Sequence, residues 1–143
     1  MKNLWVLIIG FILSLLKVGN LSAQTTDTLY LYQCYNSFSN EEKAEWTSFE
    51  NNWNYFDYSE IKKKYKIKGL NCKNCESLYA NIYIEINEEG KVTKAHVVKA
   101  KKCGVPCNDK EFIKLYESSI EKHHFKSVKN KQFIGLFGHV LKC

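Results

Sequence analysis

The chain has 143 residues, with 21 lysines against 15 acidic side chains, six cysteines and one proline. There is no arginine, which disfavours bidentate recognition of phosphate or carboxylate groups. An apolar content of 45% and an aromatic content of 14% exclude a disordered chain, and a single proline excludes a Pro-rich stalk. Six cysteines are ordinary in an exported domain of this length and unusual in a cytosolic one.

The first 23 residues have the pattern of a secretory signal peptide. Lys2 precedes an apolar run from Leu4 to Leu16, which is shorter than the roughly 20 residues that span a bilayer. Ala23 offers a cleavage site. The alternative is that the segment stays uncleaved as an anchor. In that case this segment would be the only part of the chain that contacts a membrane. Cleavage removes two lysines, so the net charge falls from +6 to +4 and indicates no nucleic-acid partner. We expect an exported protein, periplasmic or secreted.

Residues 24–70 are predicted to form an N-terminal extension that contains a strand and a helix. The alternation in Thr28–Tyr35 predicts a short strand. Ser39 and Glu42 fit a capping box, which predicts an amphipathic helix over residues 40–54. The aromatic residues of this helix recur at helical spacing and indicate a packed stripe: Trp46, Phe49 and Trp53.

The run Ile61–Lys68 is strongly basic. We interpret it as a solvated connector or an edge strand whose lysines discourage aggregation. The alternative is a surface for anionic lipid headgroups or for an acidic partner.

A β-hairpin is predicted after this run. Apolar and polar residues alternate from Leu78 to Ile86, which is typical of a half-buried strand. Gly90 supplies the positive φ of the turn, and a second strand is expected from Lys91 to Ala100. The inward parity changes within that second strand after Val92, which predicts a bulge.

A helix and a last strand follow the hairpin. Asn108 and Glu111 fit a second capping box, so we predict a helix that ends near His124. The last strand is predicted over Gln132–Leu141, with apolar residues on both faces, so we expect both faces to be covered. The order strand, strand, helix, strand predicts a small α+β domain with an antiparallel sheet over residues 71–143.

The segment Tyr79–Leu141 resembles the C-terminal domain of TonB, a periplasmic energy transducer. The matching features are the alternating strand, Gly90 followed by Val92, the helix, and the aromatic residue Phe125 before the last strand. The resemblance implies a three-stranded antiparallel sheet with one helix across it. It also implies binding of a protein segment, such as that of an outer-membrane receptor, by strand addition. The implied partner-binding residues lie on the last strand: Phe133, Gly135, Leu136, Phe137 and Val140.

We expect a binding role associated with outer-membrane transport, without energy coupling, because a cleaved chain has no anchor and no Pro-rich reach. A membrane-anchored energy transducer of the TonB type is an alternative. No catalytic constellation, cofactor or small-molecule substrate is indicated, so no enzyme is predicted from these patterns.

The hairpin register places four cysteines close together. If Asn87 faces Lys91, paired residue numbers sum to 178, or to 179 beyond a one-residue bulge. This arithmetic predicts two disulfides that staple the hairpin: Cys72–Cys107 and Cys75–Cys103. The remaining two cysteines are predicted to pair with each other: Cys34 and Cys143.

Two other chemistries remain open for the same cysteines. Four thiolates can form a structural zinc site with tetrahedral geometry: Cys72, Cys75, Cys103 and Cys107. The two-residue gap between Cys72 and Cys75 also occurs in redox dithiols, which makes a periplasmic thiol–disulfide oxidoreductase an alternative function.

Overall fold

A computed structural model describes residues 28–143 of the chain, so the predicted signal peptide lies outside the described residues. The protein is α+β with a small antiparallel sheet, as the sequence predicts. Its elements are α1 Leu31–Cys34, a 3₁₀ turn Tyr35–Ser37, α2 Asn40–Tyr55, α3 Asp57–Lys64, β1 Ser77–Ile86, β2 Val92–Lys102, β3 Val105–Pro106, α4 Lys110–Glu121 and β4 Lys131–Val140. Within residues 28–143, no helix combines the length and the apolarity that a membrane crossing requires.

Strands β1 and β2 form the predicted hairpin. The Asn87 Oδ1 accepts a hydrogen bond from the Lys91 backbone N–H at 2.9 Å, and Gly90 has a φ of 86°. A side chain at Gly90 would collide with the Phe125 carbonyl, so this turn requires glycine. The predicted bulge contains Thr93, and a second bulge occurs further along β2.

Helix α2 begins with the predicted capping box. The Ser39 Oγ accepts from the Glu42 N–H at 3.2 Å, and the Glu42 carboxylate accepts from the Ser39 N–H at 2.7 Å. The aromatic stripe is buried, and the Trp46 ring lies 5.0 Å from the Phe133 ring of β4 in a T-shaped arrangement. The N-terminal extension and the sheet therefore share one hydrophobic core.

The prediction of a strand over Thr28–Tyr35 is wrong. This segment contains α1 and the 3₁₀ turn, and Tyr30 alone bridges to Ile134 of β4. The Gln33 side chain accepts a hydrogen bond from the Tyr30 N–H at 2.7 Å, so a local turn competes with extended pairing. Because the segment meets β4 at a single bridge, the local hydrogen bonds determine its conformation, which is helical.

The interpretation of the basic run as a connector or an edge strand is wrong over its first half, which belongs to α3. Lysine is a good helix former, and the lysines of residues 62–64 fall in the last turn, where positive charge suits the helix dipole. The Tyr58 hydroxyl donates to the Leu78 carbonyl at 3.1 Å and ties α3 to β1. Lys66, with a φ of 54°, ends the helical path.

Helix α4 is capped one residue later than predicted. The Asp109 carboxylate, and not Asn108, accepts from the Glu111 and Phe112 N–H groups at 2.8 and 3.2 Å. The helix ends at Glu121, before the predicted end near residue 124. Asp is as good a cap as Asn, so the sequence pattern did not distinguish the two positions.

Among residues 28–143, the helices pack against one face of the sheet. The sheet order is β3-β2-β1-β4, and all neighbours are antiparallel. On β4, Phe133 and Phe137 are buried, whereas Leu136 and Val140 are 54% and 52% exposed. The expectation that both faces of this strand are covered is therefore wrong for the part of the chain that the structure describes.

Candidate protein-binding edge

Strand β4 is an edge of the sheet. Its ten residues pair with β1 from Ser77 opposite Val140 to Ile86 opposite Lys131. No other strand lies beyond β4 in the order of the described sheet. One row of β4 backbone groups therefore faces away from β1.

The parity of these backbone groups follows from two hydrogen bonds. The Leu141 N–H donates to the Glu76 carbonyl at 2.8 Å, towards β1, so odd-numbered residues face the sheet. The Ile134 N–H donates to the Leu29 carbonyl at 3.0 Å, away from β1, so even-numbered residues face outwards. The N–H of Leu136 therefore points away from the sheet.

The N-terminal segment occupies only the first part of this edge. Tyr30 forms a parallel bridge with Ile134, and the chain then turns into α1 and leaves β4. Among residues 28–143, the outward N–H of Leu136 has no hydrogen-bond partner. We call the outward backbone of Leu136–Val140 the free edge.

Side chains beside the free edge combine apolar surface with two polar groups of α2. A gap of about 30 Å³ separates Leu136 and Phe137 from the end of α2, where Glu50 and Asn54 line it. Burial raises the pKa of the Glu50 carboxyl, and the neighbouring Trp46 side chain lowers it by a smaller amount. The gap has about the volume of one water molecule, so these polar groups border the free edge and do not form a groove along it.

On the opposite edge of the sheet, a side chain accepts one outward N–H of β2. The Glu117 carboxylate of α4 accepts a hydrogen bond from the Val97 N–H of β2 at 2.9 Å. The same carboxylate lies 3.3 Å from the His96 Nδ1. The short strand β3 covers the end of β2, and the two bulges twist the remainder. The β2 edge is thus covered at Val97 and at its last two residues.

Two disulfides hold the end of the sheet next to the free edge. Cys75 bonds to Cys103, with Cα atoms 4.0 Å apart, which is the pairing that the hairpin register predicts. Cys72 bonds to Cys143, with Cα atoms 5.6 Å apart. The second bond joins the chain that enters β1 to the chain that leaves β4.

The predicted pairs Cys72–Cys107 and Cys34–Cys143 are wrong. β1 lies between β2 and β4, so the residues before β1 meet both the end of β2 and the segment after β4. Cys107 is buried in the core, and its backbone N–H donates to the Ala100 carbonyl of β2. Cys34 lies at the end of α1 as a free thiol.

The arrangement of the thiols differs from both alternative chemistries. Cys72 and Cys75 do not bond to each other, since each bonds to a cysteine distant in sequence. Disulfide sulfurs are not the thiolates that zinc requires, and no group of three candidate metal ligands occurs within residues 28–143. Burial raises the pKa of the Cys34 thiol, which makes it a weaker nucleophile at neutral pH.

The five residues predicted for partner binding differ in their exposure to solvent. Leu136 and Val140 are exposed, whereas three others are buried: Phe133, Gly135 and Phe137. No sequence pattern marks Glu50 or Glu117, because an acidic residue on a half-exposed helix face looks the same whether or not a sheet edge lies nearby.

No protein-family model, curated protein or solved structure matches this chain.

Proposed function

We propose that the chain is an exported protein-binding module that accepts an extended segment of a partner protein along the free edge of β4. The observation that carries the proposal is the outward N–H of Leu136, which has no partner among residues 28–143 and is flanked by the exposed side chains of Leu136 and Val140. Backbone hydrogen bonds would supply affinity, and the alternating side chains would supply specificity.

Three further features support this proposal. On the β2 edge, Glu117 already accepts the Val97 N–H, and β3 pairs with the end of the strand. The residues Tyr79–Leu141 resemble the C-terminal domain of TonB, for which strand addition at the last strand is expected. Two disulfides, together with the apolar N-terminal run of the sequence, favour an exported protein.

The experiment uses synthetic peptides that copy the plug segments of outer-membrane receptors. Amide chemical-shift changes on titration should concentrate on the free edge and on the neighbouring end of α2. Replacing Leu136 with proline removes the outward N–H without touching the ladder to β1, since proline is tolerated at an edge position whose N–H faces solvent. We expect Leu136→Pro to weaken peptide binding at least about tenfold, because one backbone hydrogen bond is lost.

Leu136→Ala is the matched control, because it retains the N–H and removes only the side chain. This variant should bind with less than about a tenfold loss, since part of the apolar contact remains. The proposal is wrong if the peptides shift residues elsewhere, or if Leu136→Pro binds them as well as the unaltered protein does.

A further inference from the structure

A surface outside the free edge joins exposed aromatic rings to a cluster of lysines at α3. It comprises six residues: Tyr55, Phe56, Lys62, Lys63, Lys66 and Lys68. We call it the aromatic–lysine surface.

The two aromatic residues lie at the junction of α2 and α3 and point away from the core. Tyr55 is 74% exposed and Phe56 is 62% exposed, in a protein whose other α2 aromatics are buried. Their rings contact each other at a centroid distance of 4.8 Å in a T-shaped arrangement. They therefore form one apolar projection.

One of the lysines, Lys63, lies on the same helix face as Phe56 of this projection, and Lys63 lines a groove with the other three lysines. Phe56 and Lys63 are seven residues apart, and at 3.6 residues per turn this spacing puts them on one helix face. After α3, the Ile67 N–H donates to the Lys62 carbonyl at 2.9 Å, so the chain folds back against the last turn. Lys66 and Lys68 consequently line a groove of about 590 Å³ together with the last turn of α3.

The charge of the surface is positive and largely uncompensated. Glu60 pairs with Lys63 at 2.6 Å, whereas no carboxylate within residues 28–143 forms a salt bridge with Lys62, Lys66 or Lys68. The Lys62 Nζ lies 5.0 Å from the centre of the Tyr58 ring. Lys62 in the last turn of α3, with Lys66 and Lys68 in the segment after it, thus keep their charge available along the groove.

We infer that the aromatic–lysine surface binds the face of an anionic lipid bilayer, with Tyr55 and Phe56 at the headgroup level and the lysines against lipid phosphates. Lysine is a point charge, which suits the diffuse charge of a lipid surface better than a paired acceptor. Aromatic side chains partition into the bilayer interface. An acidic peptide would neutralise the lysines but would leave the aromatic projection in water, so the bilayer is the better match.

The test is co-sedimentation of the protein with vesicles. One set contains phosphatidylcholine alone, and the other contains about 30% phosphatidylglycerol, which gives a negative surface. We expect binding to the anionic set only, and loss of binding as NaCl rises from about 50 mM to about 500 mM, because salt screens surface charge. Equal binding to both sets would overturn the inference.

Variants separate the two components. The triple change Lys62→Gln, Lys66→Gln and Lys68→Gln should lower the partition coefficient about a hundredfold, at about fivefold per lysine. The matched control replaces three lysines that are exposed elsewhere, Lys91, Lys99 and Lys129, with glutamine. This control should lower partitioning less than about tenfold, because it changes net charge equally without altering the surface.

The change Tyr55→Ser with Phe56→Ser retains every charge and should lower partitioning about tenfold, because the interfacial anchors are lost. Soluble polyaspartate is the competing probe. If it binds with the same lysine dependence, and if the serine variant still partitions normally, the partner is an acidic protein segment and the bilayer inference is wrong. Circular dichroism checks that each variant is folded. Plug-peptide binding at β4 should be unchanged in all of them, which separates this result from the proposed function.

Discussion

At the residue scale, a single carboxylate joins α2 to the loop before β4. The Glu45 side chain accepts hydrogen bonds from the backbone N–H groups of Lys126, Ser127 and Val128 at 2.6, 2.6 and 3.1 Å. Partial burial raises the pKa of Glu45, but the three donors and the nearby His123 outweigh this effect, so the pKa lies below its ordinary value. The ionised carboxylate is therefore part of the folded structure.

We expect Glu45→Gln to destabilise the protein by about 1–2 kcal/mol at about pH 7, after allowance for solvent screening. Because the pKa of Glu45 is lower in the folded than in the unfolded protein, ionised Glu45 stabilises the fold at pH values above the unfolded-state pKa. This contribution is lost as the pH falls through the lower, folded-state pKa. The difference in free energy of unfolding between Glu45→Gln and the unaltered protein should thus become smaller towards about pH 3. Urea unfolding at both pH values measures it; a difference that does not change with pH would contradict the assignment.

At the element scale, the two edges of the sheet differ in whether the outward N–H groups of Val97 and Leu136 have hydrogen-bond acceptors within residues 28–143. Glu117 of α4 saturates the Val97 N–H of β2, whereas the outward N–H of Leu136 on β4 has no partner within residues 28–143. Edge strands with unpaired N–H groups attract other strands, so a covered β2 edge limits self-association. The proposed partner segment would therefore use β4, where the outward N–H of Leu136 is uncovered within residues 28–143.

Replacing Glu117 tests whether this side chain protects the β2 edge. We expect Glu117→Ala to lower stability by about 1 kcal/mol, because the Val97 N–H loses its acceptor. We also expect concentration-dependent self-association by analytical ultracentrifugation. Glu117→Gln is the control, since its amide oxygen still accepts from Val97 and should keep the protein monomeric. If both variants remain monomeric at high concentration, the β2 edge is protected by something other than this side chain.

At the scale of the whole molecule, two disulfides connect segments that are remote in sequence. Cys72–Cys143 spans 71 residues and Cys75–Cys103 spans 28. Cross-links of this length restrict the unfolded chain, and each contributes about 2–4 kcal/mol in the chain-entropy account. The Cys72–Cys143 bond also fixes the segment that follows the free edge, so it constrains the site as well as the fold.

Replacing Cys72 and Cys143 together with serine should lower the free energy of unfolding by about 2–4 kcal/mol. Cys34→Ser is the control, because this thiol forms no disulfide within residues 28–143, and it should change stability by less than about 1 kcal/mol. Non-reducing peptide mapping identifies the pairs directly. A peptide that links Cys72 to Cys107 would contradict the observed connectivity.

Local patterns in the sequence predicted much of this fold. The alternation in β1 and the capping box at Ser39 were sufficient for a correct strand and a correct helix, because both depend on neighbours within a few residues. The Cys75–Cys103 bond followed from hairpin register, which is also a local property. The prediction of a strand over Thr28–Tyr35 was wrong because the conformation of this segment depends on how much of it can pair with β4.

By itself, the sequence determined the α+β class, the hairpin and one disulfide, since short-range periodicity and turn chemistry dictate them. The tertiary structure alone decided which strand edge stays open and that Cys72 pairs with Cys143. Both depend on the order of the strands, in which β4 lies beside β1 and opposite β2. Strand order arises from contacts between residues far apart in the chain, and no local pattern encodes those contacts.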